Sequence, residues 1–390
     1  MKYRWPLTSL SEVLTERTEV PDPADLASGA VRIVSKIGFN DGIIQLRSGG
    51  GTRTGMILIR PGDLVLSGIN AAKGAIAIYD PNATQLVAAT IHYGSYIPKK
   101  EKVDVRYLWW LLRSDTFREI LKEHLPSGIK TELKAKRLLS VSVPLPAVEE
   151  QQLIVARIEK LSAKIGEARK LRRQAMEEAK ALLFTALHQF FEVESSEWDH
   201  MPMPEAITIT DCQVDPNLPE YSQLPHISGE NIESKTCKLL PYRTAEEDGV
   251  KSGNYLFSPH SILYSKIRPY LQKAVFVDFQ GVCSADVYPI KVINEKLEPR
   301  FVMWSFVAPP FTEYANRLSG RTRMPKLNRK QLFAFTLAYP KVDKQRRIVA
   351  YLDNLHAKVD TLKRIQAQTA AELDALMPSI LDKAFKGELV

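Results

Sequence analysis

The feature that most constrains this chain is that it matches itself at one fixed offset. Leu145-Pro146-Ala147-Val148-Glu149-Glu150-Gln151-Gln152-Leu153-Ile154-Val155-Ala156 sets against Tyr339-Pro340-Lys341-Val342-Asp343-Lys344-Gln345-Arg346-Arg347-Ile348-Val349-Ala350, sharing proline, valine, an acid, glutamine and Ile-Val-Ala. The same spacing goes on to pair Leu161 with Leu355, Lys164 with Lys358, Gln174 with Gln368, Glu178 with Glu372 and Leu187 with Leu381. Chance does not produce such ungapped agreement. An internal repeat therefore fixes the plan of the chain before any local reading.

Each copy reads as a long helix. Ile154, Ile158, Leu161, Ile165, Ala168, Leu171, Ala175, Ala179, Leu182 and Ala186 recur at steps of three and four, and Ile348, Leu352, Leu355, Val359, Leu362, Ile365, Thr369, Leu373, Leu376 and Ile380 do so in the second copy. Such a stripe is an apolar seam for another helix. A helix from Val148 to Phe191 would run roughly 65 Å at 1.5 Å per residue, long for a globular helix. Pairing the two repeats with each other is the simplest way to bury both stripes. Pro378 is expected to kink or end the second helix near Met377, because it lacks an amide proton and crowds the preceding turn.

The repeat extends upstream. Gly62-Asp63-Leu64-Val65-Leu66-Ser67-Gly68-Ile69-Asn70 before Lys73-Gly74-Ala75-Ile76-Ala77-Ile78, and Ser261-Ile262-Leu263-Tyr264-Ser265-Lys266-Ile267-Arg268 before Gln272-Lys273-Ala274-Val275-Phe276-Val277, both read as strand, polar turn, strand. Tyr107–Leu112 parallels Phe301–Phe306, each a short buried helix. A glycine and basic loop follows in both copies, Ser127-Gly128-Ile129-Lys130-Thr131 and Ser319-Gly320-Arg321-Thr322-Arg323. The expected fold class is α+β, organised as domain, long helix, domain, long helix: residues 1–146, 147–195, 196–339 and 340–390.

With 390 residues and 53 Lys+Arg against 45 Asp+Glu, the chain carries a net charge of +8, which favours polyanionic partners without proving one. No run of apolar residues is long enough to span a membrane, and the N-terminus lacks the apolar core of a signal peptide. Cys212, Cys237 and Cys283 are an odd, widely spaced set, which argues against a disulfide framework or thiolate zinc site and for reduced thiols in the cytoplasm.

The chain resembles the specificity subunit of a Type I restriction-modification system. The resemblance is carried by Pro144-Leu145-Pro146 with Glu149-Glu150-Gln151-Gln152, by Leu263-Tyr264-Ser265-Lys266-Ile267-Arg268-Pro269-Tyr270-Leu271, by Cys283-Ser284-Ala285-Asp286-Val287-Tyr288-Pro289 and by the ending Leu381-Asp382-Lys383-Ala384-Phe385-Lys386-Gly387-Glu388-Leu389. It implies two α/β target-recognition domains, each reading one half of a bipartite, gapped double-stranded DNA site. It further implies an antiparallel coiled coil that sets the gap, two methyltransferase (modification) subunits, and two restriction subunits in the full complex. S-adenosylmethionine, ATP and Mg would sit on those partners, with no cofactor in this chain. Tandem repeats paired antiparallel are related by an approximate two-fold, which suits the dyad of the DNA backbone.

A search for catalytic chemistry finds none. Ser48-Gly49-Gly50-Gly51-Thr52-Arg53-Thr54-Gly55 lacks the Gly-Lys-Ser/Thr ending of a phosphate loop. The Asn/Asp-Pro-Pro-aromatic tetrapeptide of adenine methyltransferases is not supplied by Asp80-Pro81-Asn82 or Asp215-Pro216-Asn217. The seven histidines are scattered, with no HExxH.

Candidate DNA contacts are Arg53 on the glycine turn, Asn70, Lys73, Lys130 and Lys134 in the first domain, and Lys266, Arg268, Lys273, Arg321, Arg323, Lys326 and Asn328 in the second. Around Pro269 the pattern would let Lys266, Arg268 and Lys273 point one way. Arginine pairs with guanine by two hydrogen bonds, whereas phosphate contacts raise affinity without reading sequence, and this pattern alone leaves both open. Leu153, Val155, Leu183 and Phe184, placed off the seam, are the candidate contacts for partner subunits. The alternative to a non-catalytic specificity subunit is a stand-alone DNA-binding regulator or a coiled-coil scaffold.

Overall fold

The computed structural model describes residues 4–47, 54–124, 132–251, 253–320 and 325–389. The chain divides into two compact units, Met1–Leu171 with Ala367–Val390, and Arg172–Gln366. Both divisions fall inside the long helices, Val148–His188 and Val342–Lys386.

The two units repeat one architecture. In the first, an antiparallel four-stranded sheet runs in the order Leu14–Glu16, Tyr93–Pro98, Leu64–Ser67, Ile76–Ile78. Its counterpart in the second unit is Ile207–Ile209, Val287–Val292, Ser261–Ser265, Ala274–Val277. A second sheet in each unit contains one parallel pair, Arg32–Ile37 on Val87–Thr90 and Pro225–Ile227 on Gly281–Cys283. The strand before each polar turn is buried on both faces. Leu64 and Leu66 enter one core while Val65 enters another, and Ile262 and Tyr264 likewise part from Leu263. That alternation is the two-residue period of a strand between two apolar layers, which is why the run reads as continuously hydrophobic.

Each unit takes in segments of both long helices. The first packs Val155 and Ile158 with Leu381, Ala384 and Phe385, and the Phe385 ring stands edge-on to Tyr107 at 5.4 Å. The second packs Leu183, Ala186, Leu187 and Phe191 with Ile348, Val349 and Leu352. Within each unit the two segments run antiparallel. Arg169 pairs with Asp374 at 2.8 Å in one, and in the other Phe190 meets Tyr351 at 5.5 Å while Arg172 meets Gln366. Arg172 and Gln366 are 194 residues apart, the offset of the repeat, and each donates a side-chain hydrogen bond to the other's carbonyl.

One buried glutamine near the start of each long helix ties that end to a unit, Gln151 to the first and Gln345 to the second. Gln151 accepts from the Asp104 amide at 2.8 Å and donates to the Pro146 and Lys102 carbonyls at 2.8 and 3.3 Å. Gln345 repeats this with the Glu298 amide at 2.8 Å and the Pro340 and Lys296 carbonyls at 2.7 and 2.8 Å. Both are fully buried, and these bonds meet the need of a buried carboxamide for partners.

Two expectations are corrected. The second helix does not end at Pro378 but continues to Lys386. Pro378 lies on an exposed face, where the Asp374 carbonyl it leaves without a helical partner can meet water, and the burial of Leu381, Ala384 and Phe385 beyond it holds the last turns in place. The seam is also narrower than the apolar stripe. Leu171, Leu182, Ile365 and Leu376 are exposed at 56%, 58%, 48% and 45%, while Ile158, Ile165, Leu183 and Leu187 face inward. Among the described residues, no helix is long and apolar enough to cross a membrane.

Candidate nucleic-acid interface

The turn after the doubly buried strand is held in the same way in both units. In the first, the Gly68 amide donates to the His92 carbonyl at 2.7 Å and the Leu133 amide donates to the Gly68 carbonyl at 2.9 Å. In the second, the Leu327 amide donates to the Lys266 carbonyl at 2.8 Å and the Arg268 amide to the Pro325 carbonyl at 2.7 Å. These bonds bring Asn70 and Lys73 together with the segment bearing Lys134, and Arg268 together with Lys326. Gly68 suits the close approach, since a Cβ there would stand 3.0 Å from the Glu132 side chain and 3.1 Å from the His92 carbonyl.

Arg268 has φ 48° and ψ 61°, a left-handed conformation that a side chain disfavours. Pro269 disfavours the right-handed helical alternative for the residue before it, and the bond to Pro325 fixes the rest. The result is an exposed guanidinium without a hydrogen bond or ion pair to any described residue, beside a half-exposed Tyr270. Lys326 is exposed too, 3.7 Å from Asp286. In the first unit Asn70 opens the short turn Ala71–Lys73 without capping it by its side chain, Lys73 is exposed, and Lys134 is exposed at the start of the helix Ala135–Leu139.

Three of the expected DNA contacts have other occupations. Lys266 is only 9% exposed; its ammonium lies 5.0 Å from the Tyr288 ring, and burial, with Lys326 nearby, lowers its pKa. Lys273 donates to the Gly229 carbonyl, so the three cations around Pro269 do not point one way. Asn328 caps the helix Arg329–Phe333, accepting from the Gln331 amide at 2.9 Å while Gln331 returns the bond to the Asn328 amide. Arg53, Lys130, Arg321 and Arg323 lie outside the described residues.

The partner candidates divide in the same fashion. Leu153 is 72% exposed and Phe184 58%, but Val155 and Leu183 are buried in the cores of their own units and cannot meet a partner's surface. Their neighbours in sequence lie roughly 100° around the helix, so a shift of one or two positions exchanges core for solvent.

A family model described as the Type I restriction modification DNA specificity domain matches residues 35–174 and again residues 219–370, each match ending within one of the long helices. The chain belongs to this family. It is 30% identical over 76% of its length, and 72% of the relative's, to the Type I restriction enzyme EcoDI specificity subunit of Escherichia coli. A second relative, the StySPI specificity subunit of Salmonella potsdam, is 19% identical over 85% of this chain and 75% of its own. Among solved structures, a chain from work on complex assembly and conformational transition of the type I restriction-modification system superposes with a TM-score of 0.72, at 23% identity over 99% of this chain and 98% of that one. The HsdS subunit from Thermoanaerobacter tengcongensis gives 0.66 at the same identity, covering 99% and 97%. As a member of this family the chain is a DNA sequence-recognition subunit, and each family match falls almost wholly within one of the two units that each present an exposed polar turn.

Sequence reasoning passed over the hairpin Arg32–Ile37 with Ile44–Arg47, whose outward side chains include Lys36, Gln45 and Arg47. Its signal was the polar tip Gly38-Phe39-Asn40-Asp41-Gly42 between alternating apolar runs.

Proposed function

We propose that each unit reads one half of a bipartite, gapped DNA site and that the paired helices set the length of the gap. The chain itself catalyses nothing. It positions two copies of a modification subunit, which carry S-adenosylmethionine and methylate adenine at N6, and in the full complex two restriction subunits that use ATP and Mg. The observation that carries this reading is the reciprocal Arg172–Gln366 contact between equivalent positions of the repeat. Equivalent positions that contact each other reciprocally suit a ligand that is itself dyadic. Arg268 and Lys326 in one unit, and Asn70, Lys73 and Lys134 in the other, are the contacts we assign to DNA.

The repeat also supports two identical partners. Positions that are the same in both copies and exposed in both have no core to preserve. Lys164 and Lys358, Glu178 and Glu372, and Leu182 and Leu376 meet both conditions. On each helix they fall outside the buried face, and each unit holds one full set: Leu376, Glu372 and Lys164 in the first, Leu182, Glu178 and Lys358 in the second. We assign this stripe, flanked by Leu153 and Phe184, to the modification subunits.

The test is to sequence methylated bases in a host with and without this gene, partner genes present. Loss of one bipartite N6-methyladenine motif on deletion is expected. An unchanged methylome would reject the reading, and tight specific DNA binding by the purified chain alone would favour a stand-alone regulator instead.

A further inference from the structure

Beside the turn in the first unit lies a pocket of about 350 Å³, lined among others by Lys36, Asn40, Gln45, Ser67, Asn70 and Tyr93. Three carboxamides converge on it, and the side chains of Lys36, Asn40, Gln45 and Asn70 make no hydrogen bond or ion pair to any described residue. Its outer wall is the hairpin tip, and the tip is built to hold still. The Asp41 carboxylate accepts from the Ile43 amide at 3.0 Å, and the Gly38 amide donates to the Ile43 carbonyl at 2.9 Å. A Cβ at Gly38 would stand 1.9 Å from an Asp41 oxygen, so a side chain there would displace the carboxylate that holds the tip. Arg113, stacked 4.2 Å from the Trp109 ring centroid, lashes the tip to the body through the Phe39 and Asn40 carbonyls. Free amides on a fixed wall are the arrangement a reading site needs.

We propose that this pocket receives a base edge of the DNA, with Gln45 and Asn40 joining Asn70 as the residues that set the sequence read by the first unit, and with adenine as the base they fit. A carboxamide offers one acceptor and one donor side by side, matching the N6 donor and N7 acceptor of adenine in the major groove. Guanine offers two acceptors there and is read by a guanidinium or an ammonium; the pocket has no guanidinium, and its one cation is Lys36. Asp41 is committed to the tip, and Lys36 at the rim fits a neighbouring phosphate.

The second unit is built differently at this place. The residue whose carbonyl closes the turn is Ala75 in the first unit, accepting from Ser67, and Lys273 in the second, accepting from Ser265. The small Ala75 leaves the pocket open, whereas the Lys273 side chain crosses to the Gly229 carbonyl. There the exposed Arg268 is the projecting reader, and the two halves of the site should accordingly differ.

This inference rests on the function proposed above, and the experiment separates the two. The full chain is co-expressed with its modification subunit in a host free of other adenine methylation, and the methylome is read for wild type, Gln45→Ala and Asn40→Ala. In the variants one adenine position in one half-site should relax, with methylation of sites bearing another base there rising about tenfold or more relative to cognate sites. The other half-site and the gap should stay as they are. An unchanged motif in both variants overturns the inference, as does an equal fall at every site, which would make these residues phosphate anchors. If the wild-type complex yields no bipartite motif, it is the proposed function that fails. Both residues are exposed, and circular dichroism checks that the variants fold.

Discussion

Arg172 and Gln366 are equivalent residues in the two copies of the repeat, and each holds the other's backbone: the guanidinium donates to the Gln366 carbonyl, and the Gln366 amide nitrogen donates to the Arg172 carbonyl at 3.0 Å. A contact between equivalent residues is self-reciprocal only about a two-fold axis. Lengthening the helices on both sides of this point should therefore preserve the pairing of each unit. Seven residues inserted after Arg172 and seven after Gln366 add about 10 Å of helix, equal to about three base pairs. The gap in the methylated motif should grow by that amount with both half-sites intact. A methylome showing the old gap would rule out the helices as the ruler.

Gln151 and Gln345 predict matched losses of stability. Replacing either by alanine strands one buried carbonyl and leaves a part-buried amide and a second carbonyl to water, at a cost of about 1–3 kcal/mol for the buried group. Either variant should unfold at clearly lower urea concentration than wild type, and the double variant should lose close to the sum, because the two sites lie in different units. A midpoint that does not move in either single variant would show that the bonds contribute nothing net.

Arg268 and Lys266 are two residues apart and should behave oppositely. Arg268→Ala removes an exposed reader and should relax one half-site by roughly 1–3 kcal/mol of discrimination, leaving stability unchanged. Lys266→Met keeps the buried volume beneath Tyr288 and should leave the motif intact. Sequencing the methylated sites of both variants decides it; a motif altered by Lys266→Met alone would reverse the assignment.

Leu182 and Leu376 should dock partners where Leu183 cannot. Glutamate at both exposed positions is expected to strip the modification subunits from the complex on gel filtration while the chain stays folded. Leu183→Glu buries a charge in the core of the second unit and should unfold it instead. Retention of both modification subunits by the Leu182→Glu/Leu376→Glu chain would move the docking surface elsewhere.

How much of this was legible in the sequence depends on the range of the forces involved. The repeat, the two long helices and the strand-turn-strand before each were readable because period and spacing are local properties of the chain. The exchange of Val155 for Leu153 was not, because adjacent apolar residues on a helix differ only in which neighbour they meet. Lys266 looked like a surface cation until Tyr288, brought over it by the sheet, was known to cover it. Pro378 did not end the helix because the turns beyond it are anchored by Phe385 in a core assembled from the start of the chain. The pocket around Gln45 joins a hairpin to a turn that follows it only through tertiary contact, and no spacing rule announces that.

The sharing of the helices also bears on the order in which the protein can be made. Val155 and Ile158 leave the ribosome early, yet Leu381, Ala384 and Phe385, which cover them, are synthesised long after. The second unit, by contrast, has all its residues once Gln366 has emerged. The half that is translated first is thus completed last, and a chain cut short in its second helix would lose part of the core of the unit at its opposite end.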